Sequence, residues 1–354
     1  MCRFADYIGT VFGREEGKKR GYPGHEEIEL ALVKLYRTTG NRRYLDLCKY
    51  FIDERGSQPC YFTIEAEERE EEPAAGNSFR SPPYTQYQAH LPVREQNEAV
   101  GHSVRAMYLY CGMADLAIET ADRDLAEACR RLWQNVTRRR MYVTGGVGSS
   151  AFGEAFTFDS DLPNDRAYTE TCAAVGLVFW AHRMLRLDTL GEYADVMERA
   201  LYNGVLSGIS LDGEKYFYVN PLEVWPEACA ERSDLKHVKR SRRPWFGCAC
   251  CPPNISRLLA SLGGYIYSTT KDELFVHLYM GSETAVELEG ATVRLTQETG
   301  YPWEENVRDK VCTERPITFS LSLRIPGWCR NPHVKVNGED VDAARKTNSG
   351  YLRL

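Results

Sequence analysis

The chain has 354 residues, a net charge of −6 and a hydrophobic content of 43%, which are typical of a globular protein with two or three domains. The mild acidity does not favour nucleic-acid binding, and we interpret the basic run at residues 236–243 as a solvated loop. No apolar stretch approaches the roughly 18 residues that a membrane-spanning helix needs. Twelve cysteines without an N-terminal secretory signal predict a reducing, cytoplasmic location rather than a disulfide framework.

Most of the chain, up to about residue 267, is patterned as amphipathic helices. Apolar residues recur at helical spacing and short polar breaks separate the segments, so paired helices joined by turns are predicted. Two long interruptions, residues 57–92 and 141–166, are rich in Pro, Gly or acidic residues, and loops of this length are usually functional. The predicted helices cover residues 25–39, 43–54, 97–119, 125–140, 169–185 and 193–206.

From residue 268 onward the pattern changes to short alternating strands, separated by turn signals such as Asn337-Gly338. The change predicts a mainly α protein with a β module: a helical domain over residues 1–267 and a β domain over residues 268–354. Because residues 351–354 have a strand pattern with no closing element after them, we expect the β domain to be incomplete at its C-terminus. The predicted strands before that point cover residues 274–279, 284–288, 292–297, 317–324 and 333–336.

The most informative motif is the run Cys248-Ala249-Cys250-Cys251, because three cysteines in four residues are rare outside disulfide-rich or metal-binding chains. Glu170 and Cys172, two positions apart, can complete a set of four ligands with the vicinal pair, and Zn²⁺ accepts both Cys sulfur and Glu oxygen. Neighbouring cysteines cannot form an unstrained disulfide with each other. Buried structural thiols or a thiol redox role remain open from spacing alone, since the run offers a single C-x-x-C spacing.

A set of further motifs occurs in a defined order along the chain. They are Gly24-His25-Glu26-Glu27, Gly101-His102-Ser103-Val104-Arg105, Gly145-Gly146-Val147-Gly148, Gly153-Glu154-Ala155-Phe156, Glu170-Thr171-Cys172, Glu198-Arg199-Ala200-Leu201-Tyr202-Asn203, Tyr216-Phe217-Tyr218-Val219-Asn220-Pro221-Leu222 and Cys248-Ala249-Cys250-Cys251-Pro252-Pro253-Asn254. This ordered set closely resembles glycoside hydrolase family 127, the β-L-arabinofuranosidases, and Arg324-Ile325-Pro326-Gly327-Trp328 fits as well. The resemblance runs from about Gly21 to the C-terminus, and the ordered set is far more specific than any single motif.

The resemblance implies an (α/α)₆-barrel catalytic domain followed by a β-sandwich, and a retaining mechanism with a zinc-bound Cys nucleophile. Carried over by motif, Cys250 is the nucleophile and Glu154 is the acid/base. A Glu among apolar neighbours is also a candidate for a raised pKa, as a general acid requires. The implied Zn²⁺ ligands are Glu170, Cys172, Cys250 and Cys251. The implied sugar-pocket residues are His25, His102, Glu198 and Tyr218.

Family members carry more chain ahead of the first motif, including early barrel helices and a further sugar-contacting His. We therefore expect a barrel that is incomplete at its N-terminus, with an exposed apolar edge and possible self-association. The leading hypothesis is a retaining hydrolase that releases L-arabinofuranose from a small oligosaccharide or glycoside. The alternative is a catalytically silent fragment, stapled by zinc, that binds carbohydrate or another partner. Neither hypothesis involves nucleic acid or a membrane.

Overall fold

The computed structural model describes residues 1–70, 84–342 and 347–354. These residues form two compact units. The first unit comprises Met1–Leu187 and Arg199–Pro252, and the second comprises Asp188–Glu198 and Pro253–Leu354. The mainly helical composition with a separate β module confirms the predicted fold class at that level, whereas the (α/α)₆ barrel stays a prediction. None of the helices in the described ranges has the length and apolar content to cross a bilayer.

The first unit is built from α-helices joined by turns and short 3₁₀ or π-helical segments. Five of the six predicted helical segments lie within it, and each contains a helix. The segment predicted from residue 97 becomes helical only at Ser103, since the residues before it form an irregular stretch. The helices are α1 (Cys2–Val11), α2 (Ile28–Thr39), α3 (Arg42–Glu54), α4 (Tyr61–Glu68), α5 (Ser103–Thr120), α6 (Arg123–Asn135), α7 (Thr171–Leu187) and, after the second unit's α8 (Gly191–Arg199), α9 (Pro226–Glu231).

Helices α5 and α7 form the centre of the first unit and position the site. Both are buried along nearly their whole length. The two helices approach each other closely at Gly176 of α7, where an added Cβ would lie 2.7 Å from Met107 Cβ of α5. On the other side of α5, a Cβ at Gly112 would lie 2.7 Å from Glu29 Cβ of α2. Small residues at these positions therefore allow α2, α5 and α7 to pack closely, and the N-termini of α5 and α7 carry candidate site residues.

Helix α4 corrects part of the loop that the sequence predicted over residues 57–92. Its sequence, Tyr61–Glu68, is acidic toward its end and buries no side chain fully, so its apolar periodicity is weak. Residues 71–83 of the predicted loop lie outside the described residues. The other predicted long loop, residues 141–166, is confirmed as non-helical apart from the short turn Phe152–Glu154.

The second unit combines helices α8, α10 (Cys251–Ser261) and α11 (Gly263–Ile266) with short strands. The strands are β1 (Tyr267–Thr269), β2 (Glu273–Val276), β3 (Ser282–Leu288), β4 (Ala291–Thr299), β5 (Val307–Thr313), β6 (Ser320–Arg324), β7 (Val334–Val336), β8 (Glu339–Val341), β9 (Thr347–Asn348) and β10 (Tyr351–Arg353). A five-stranded sheet has the order β1-β2-β6-β10-β9, with β2 and β6 parallel, and a three-stranded antiparallel sheet has the order β3-β4-β5. The apolar core of the second unit includes Leu274, Val276, Leu288, Val293 and Leu295.

Arg324 at the end of β6 explains why a helical segment belongs to the β-rich unit. Its side chain is fully buried and forms ion pairs with Asp195 and Glu198, both on α8. Its guanidinium also donates to the His277 carbonyl at 2.6 Å and lies over the Tyr279 ring. These contacts bind α8 to the sheet, so α8 is part of the second unit although its sequence pattern placed it in the helical domain.

Candidate active site

Four side chains of the first unit converge from two distant parts of the chain. Glu170 lies just before α7 and Cys172 lies in its first turn. Cys250 lies just before α10, and Cys251 is the first residue of that helix. The Cys250 sulfur is 3.3 Å from Glu170 Oε1 and 3.8 Å from the Cys251 sulfur, which is 3.5 Å from the Cys172 sulfur. One ligand atom from each of the four residues lies within 4.8 Å of every other. The structure therefore brings all four predicted ligands together.

The separations fit a tetrahedral zinc site. Zinc–sulfur bonds of about 2.3 Å at tetrahedral angles place two sulfurs about 3.8 Å apart, close to the two spacings seen here. Glu170 is only 2% exposed, and its second oxygen, Oε2, is buried with no hydrogen-bond partner among the described residues. Three soft sulfur donors with one carboxylate form a set that zinc accepts. The cluster could thus hold a metal ion, and its chemistry suits Zn²⁺.

The electrostatics of the cluster point in the same direction. Burial and the neighbouring Cys250 raise the pKa of Glu170 well above its ordinary value. Hydrogen bonds with Cys250 and Cys251 raise the pKa of the Cys172 thiol. Hydrogen bonds from the Cys172 and Cys251 thiols lower the pKa of Cys250, so a single thiolate forms most easily at that position. Since these acidic groups disfavour one another's ionisation, a cation bound among them would favour deprotonation of the whole set.

Glu154 borders this cluster from a strained turn. Its backbone has a positive φ of 52°, which is unusual for a residue with a side chain, and Gly153 before it has a φ of 73°. Two backbone hydrogen bonds of 3.0 Å between Ser150 and Ala155 close the turn, and Gln86 Nε2 donates to the Gly153 carbonyl at 2.6 Å. The turn holds the Glu154 carboxylate within 4.8 Å of both His102 and Glu170.

The pKa of Glu154 differs from the prediction. Burial raises this pKa, but a hydrogen bond with His102 and the attraction of its ring outweigh burial, and the net pKa lies below the ordinary value. The prediction of a raised pKa for Glu154 is therefore wrong. The apolar neighbours of Glu154 in the sequence gave no sign that the His102 imidazole would contact it. The carboxylate form of Glu154 is favoured, which is the form that accepts a proton from water.

The sugar-pocket residues predicted from the resemblance fall into two groups. The Tyr218 hydroxyl lies 3.2 Å from the Cys250 sulfur, and the ring centroids of His25 and His102 are 6.4 Å apart. These three residues therefore lie at or near the cluster of the first unit. Glu198 belongs to the second unit, where its carboxylate accepts hydrogen bonds from Arg324 and, at 3.4 Å, from Trp328 Nε1. Its role in sugar binding stays a prediction.

Tyr168 is a site residue that sequence reasoning missed. Burial, followed by the charges of Glu154 and Glu170, raises the pKa of its phenol above the ordinary value. Its ring centroid lies 6.3 Å from that of Tyr218. The spacing of Tyr168 two positions before Glu170 gave no reliable signal, because Thr169 between them has a positive φ of 40° and the segment is not regularly extended.

Comparison with protein-family models gives matches over nearly the whole chain. Residues 1–264 match the β-L-arabinofuranosidase GH127 catalytic domain, and residues 273–354 match the GH127 middle domain. The chain belongs to glycoside hydrolase family 127. The resemblance of the ordered motifs to this family is thereby confirmed.

Individual relatives agree with the family assignment. A non-reducing end β-L-arabinofuranosidase from Bifidobacterium longum subsp. longum is 43% identical over 99% of this chain and 53% of its own length. A GH127 β-L-arabinofuranosidase from Geobacillus stearothermophilus, known from its crystal structure, has 60% sequence identity to this chain. The two structures match with a TM-score of 0.96 over all of this chain and 55% of that one. A second GH127 β-arabinofuranosidase structure is 39% identical, with a TM-score of 0.85 over all of this chain and 52% of that one. This family 127 chain thus spans about half the length of these relatives.

Proposed function

We propose that the first unit carries the active site of a retaining, zinc-dependent β-L-arabinofuranosidase of the non-reducing-end type. One observation supports this most strongly: Cys250 shares the four-residue cluster with Glu170, while Glu154 borders the same Glu170 carboxylate. A nucleophile and an acid/base are thereby held beside one potential metal ligand. The names of the relatives supply the substrate class, an L-arabinofuranoside. The (α/α)₆ barrel is the architecture proposed to surround the site.

Glu170, Cys172, Cys250 and Cys251 would hold the Zn²⁺ ion. Bound zinc would supply charge that keeps the thiols ionised and fixed in position. A free Cys thiol, with a pKa near 8.5, is mostly protonated at neutral pH and is a poor nucleophile in that state. The Tyr218 hydroxyl lies 3.2 Å from the Cys250 sulfur. Once that sulfur is a thiolate, the hydroxyl can donate a hydrogen bond to it and orient it. Cys250, the half-buried member of the set, is the sulfur that substrate can reach.

The two chemical steps balance with these residues. In the first, the Cys250 sulfur forms a bond to the anomeric carbon while the bond to the leaving oxygen breaks, and that oxygen takes its electron pair and a proton from Glu154. In the second, water gives a proton to Glu154 and attacks the anomeric carbon, and the sulfur–carbon bond breaks to restore the thiolate. Two displacements at one carbon retain its configuration. The lowered pKa of Glu154 favours the second step, in which Glu154 accepts a proton, and works against the first step, in which Glu154 must be protonated.

Sugar contacts are proposed for four residues, since furanose hydroxyls need both donors and acceptors. They are His25, His102, Glu198 and Tyr218. A small oligosaccharide or glycoside is the proposed substrate. A cytoplasmic location and self-association stay predictions.

The test is hydrolysis of a 4-nitrophenyl β-L-arabinofuranoside by this chain, with zinc measured in the same samples. Cys250→Ser should abolish turnover, because no stable thiolate nucleophile remains, while oxygen in place of sulfur still leaves three of the four ligands unchanged. Cys248→Ser, an exposed thiol outside the cluster, is the control and should keep full activity. Wild-type chain that holds zinc yet never hydrolyses the glycoside would favour the alternative, a silent zinc-stapled carbohydrate-binding module. Undiminished activity in Cys250→Ser would overturn the proposed nucleophile.

A further inference from the structure

The turn that carries Glu154 has an unfavourable backbone conformation. Gly153 and Glu154 both have a positive φ, and a residue with a side chain keeps such a conformation only where its surroundings enforce it. Packing contributes little at the tip of the turn, because the Phe152 side chain is 69% exposed. Hydrogen bonds to the turn are therefore the contacts that can hold Glu154 in place.

Two buried side chains donate hydrogen bonds to consecutive carbonyls of this turn. Gln86 Nε2 donates to the Gly153 carbonyl at 2.6 Å, and Ser103 Oγ donates to the Glu154 carbonyl at 3.0 Å. Gln86 is 6% exposed and Ser103 is fully buried. Because both donor residues are buried, water does not readily take their place when they are removed.

These two carbonyls belong to the peptide units on either side of the Glu154 Cα. Since each peptide unit is planar, fixing both planes fixes φ and ψ of Glu154. The two angles set the direction in which the side chain leaves the backbone. Here that direction brings a carboxylate oxygen of Glu154 within 4.8 Å of a carboxylate oxygen of Glu170, beside the cysteine cluster.

Close backbone packing holds both donor residues. Ser103 is the first residue of α5, and the loop passes it at Gly148, where an added Cβ would lie 2.6 Å from Ser103 Oγ. Gln86 lies in the short 3₁₀ helix Thr85–Tyr87, and a Cβ at Gly101 would lie 2.8 Å from Gln86 Cα. The donors are therefore presented to the turn by parts of the chain that have little room to shift.

We propose that Gln86 and Ser103 are positioning residues, whose hydrogen bonds to the backbone of the turn aim the Glu154 carboxylate at the leaving-group oxygen. The inference rests on the acid/base role proposed for Glu154. A misdirected acid/base slows the reaction most when the leaving group needs a proton. This gives the positioning role a kinetic signature that a purely structural role lacks.

Three substitutions separate positioning from stability. Gln86→Met keeps the length of the side chain but removes the amide donor, and Ser103→Ala removes only the hydroxyl. Ser149→Ala is the matched control. Ser149 is a buried serine on the same loop as Glu154, but its hydroxyl is paired with the Thr157 hydroxyl instead of a carbonyl of the turn. All three variants lose one hydrogen bond, and two of them lose it from the turn.

The experiment compares kcat/KM on methyl and 4-nitrophenyl β-L-arabinofuranosides, with zinc content and Tm measured for each variant. Gln86→Met and Ser103→Ala should each lose about tenfold or more on the methyl glycoside and less than about threefold on the nitrophenyl glycoside. Their zinc content should match that of the wild type. Ser149→Ala should melt about 2–4 °C lower, as the other two variants should, but show no selective loss.

Two results would overturn the proposal. Equal losses on both glycosides in Gln86→Met and Ser103→Ala would indicate a general disturbance of the site. A lowered Tm with unchanged kcat/KM on both glycosides would indicate a structural role alone. If only one of the two variants is selective, the positioning role is wrong for the other residue.

Glu154→Ala separates failure of this inference from failure of the proposed function. If Glu154→Ala itself shows equal losses on the two glycosides, the acid/base assignment fails and the positioning role fails with it. If Glu154→Ala is selective but Gln86→Met and Ser103→Ala are not, the positioning role alone is wrong. A wild-type chain that hydrolyses neither glycoside would overturn the proposed function and the positioning role together.

Discussion

Each of the two units buries a cluster of ionisable side chains, and the two clusters are balanced in opposite ways. In the second unit, Arg324 is matched by the carboxylates of Asp195 and Glu198 and by a backbone carbonyl. In the first unit, burial raises the pKa of Glu170, and the neighbouring acidic groups Cys250 and Glu154 raise it further. Opposite charges within the protein balance the cluster of the second unit, whereas the cluster of acids in the first unit would need a cation to balance it.

The difference separates a structural function from a ligand-binding one. A buried ion pair that the fold itself satisfies mainly fixes which elements pack together, here α8 and the sheet. A buried set of like groups with an unpartnered oxygen is costly unless a ligand compensates it. The following substitutions test this contrast.

Cys251→Ala should have the largest effect, because it removes a buried ligand of the proposed metal and metal binding is coupled to folding. We expect zinc to fall from about one ion per chain to a small fraction, with a marked drop in Tm. Elemental analysis and a thermal melt measure both. Cys248→Ala, at an exposed thiol outside the cluster, should change neither quantity. Full zinc content and an unchanged Tm in Cys251→Ala would contradict a metal centre at this position.

Arg324→Ala should come next, since it leaves two carboxylates of α8 without their cation. Breaking a buried ion pair by removing one partner costs about 3–5 kcal/mol. Denaturant unfolding should show a loss of this size. Arg353→Ala, which removes an exposed partner of Glu273, should cost less than about 1 kcal/mol. Similar small losses in both variants would show that the Arg324 cluster does not hold the unit together.

These contacts show what the sequence could and could not predict. Helical periodicity located α2, α3 and α6, because their apolar stripes face the interior. It could not show that α8 belongs with the β strands, because Arg324 meets its partners across 126 and 129 residues. The family resemblance selected the residues of the cysteine cluster, and the structure brings them together. The sequence did not predict that His102 is the N-cap residue of α5, because the predicted helix began at residue 97 and placed His102 inside it.

A smaller effect is expected at Asp309 on β5, where burial raises the carboxyl pKa to about 6 and Oδ1 has no partner in the described ranges. The folded state binds this proton more tightly than the unfolded chain, so stability falls as pH rises from about 4 to 6. Asp309→Asn should therefore stabilise the protein by roughly 1–2 kcal/mol at pH 7 and by little at pH 4. Gln297, opposite in register with its Oε1 unpaired, can accept from the new amide.

Thermal melts at the two pH values measure the Asp309 effect. Glu283→Gln, at an exposed acid on β3, is the matched control and should leave the pH dependence unchanged. A gain at pH 4 as large as that at pH 7 would show that the buried charge is not the cause.

The most direct test of the central claim is the mass of the peptide that carries Cys250. The chain is mixed with a substrate that has a good leaving group and slow deglycosylation, quenched in acid and digested. We expect a mass increase of one pentosyl residue on the Cys250 peptide, and its absence in Cys250→Ala. Turnover with the sugar attached instead to Glu154 or Glu170, or with no attachment under conditions that trap other retaining glycosidases, would contradict Cys250 as the nucleophile.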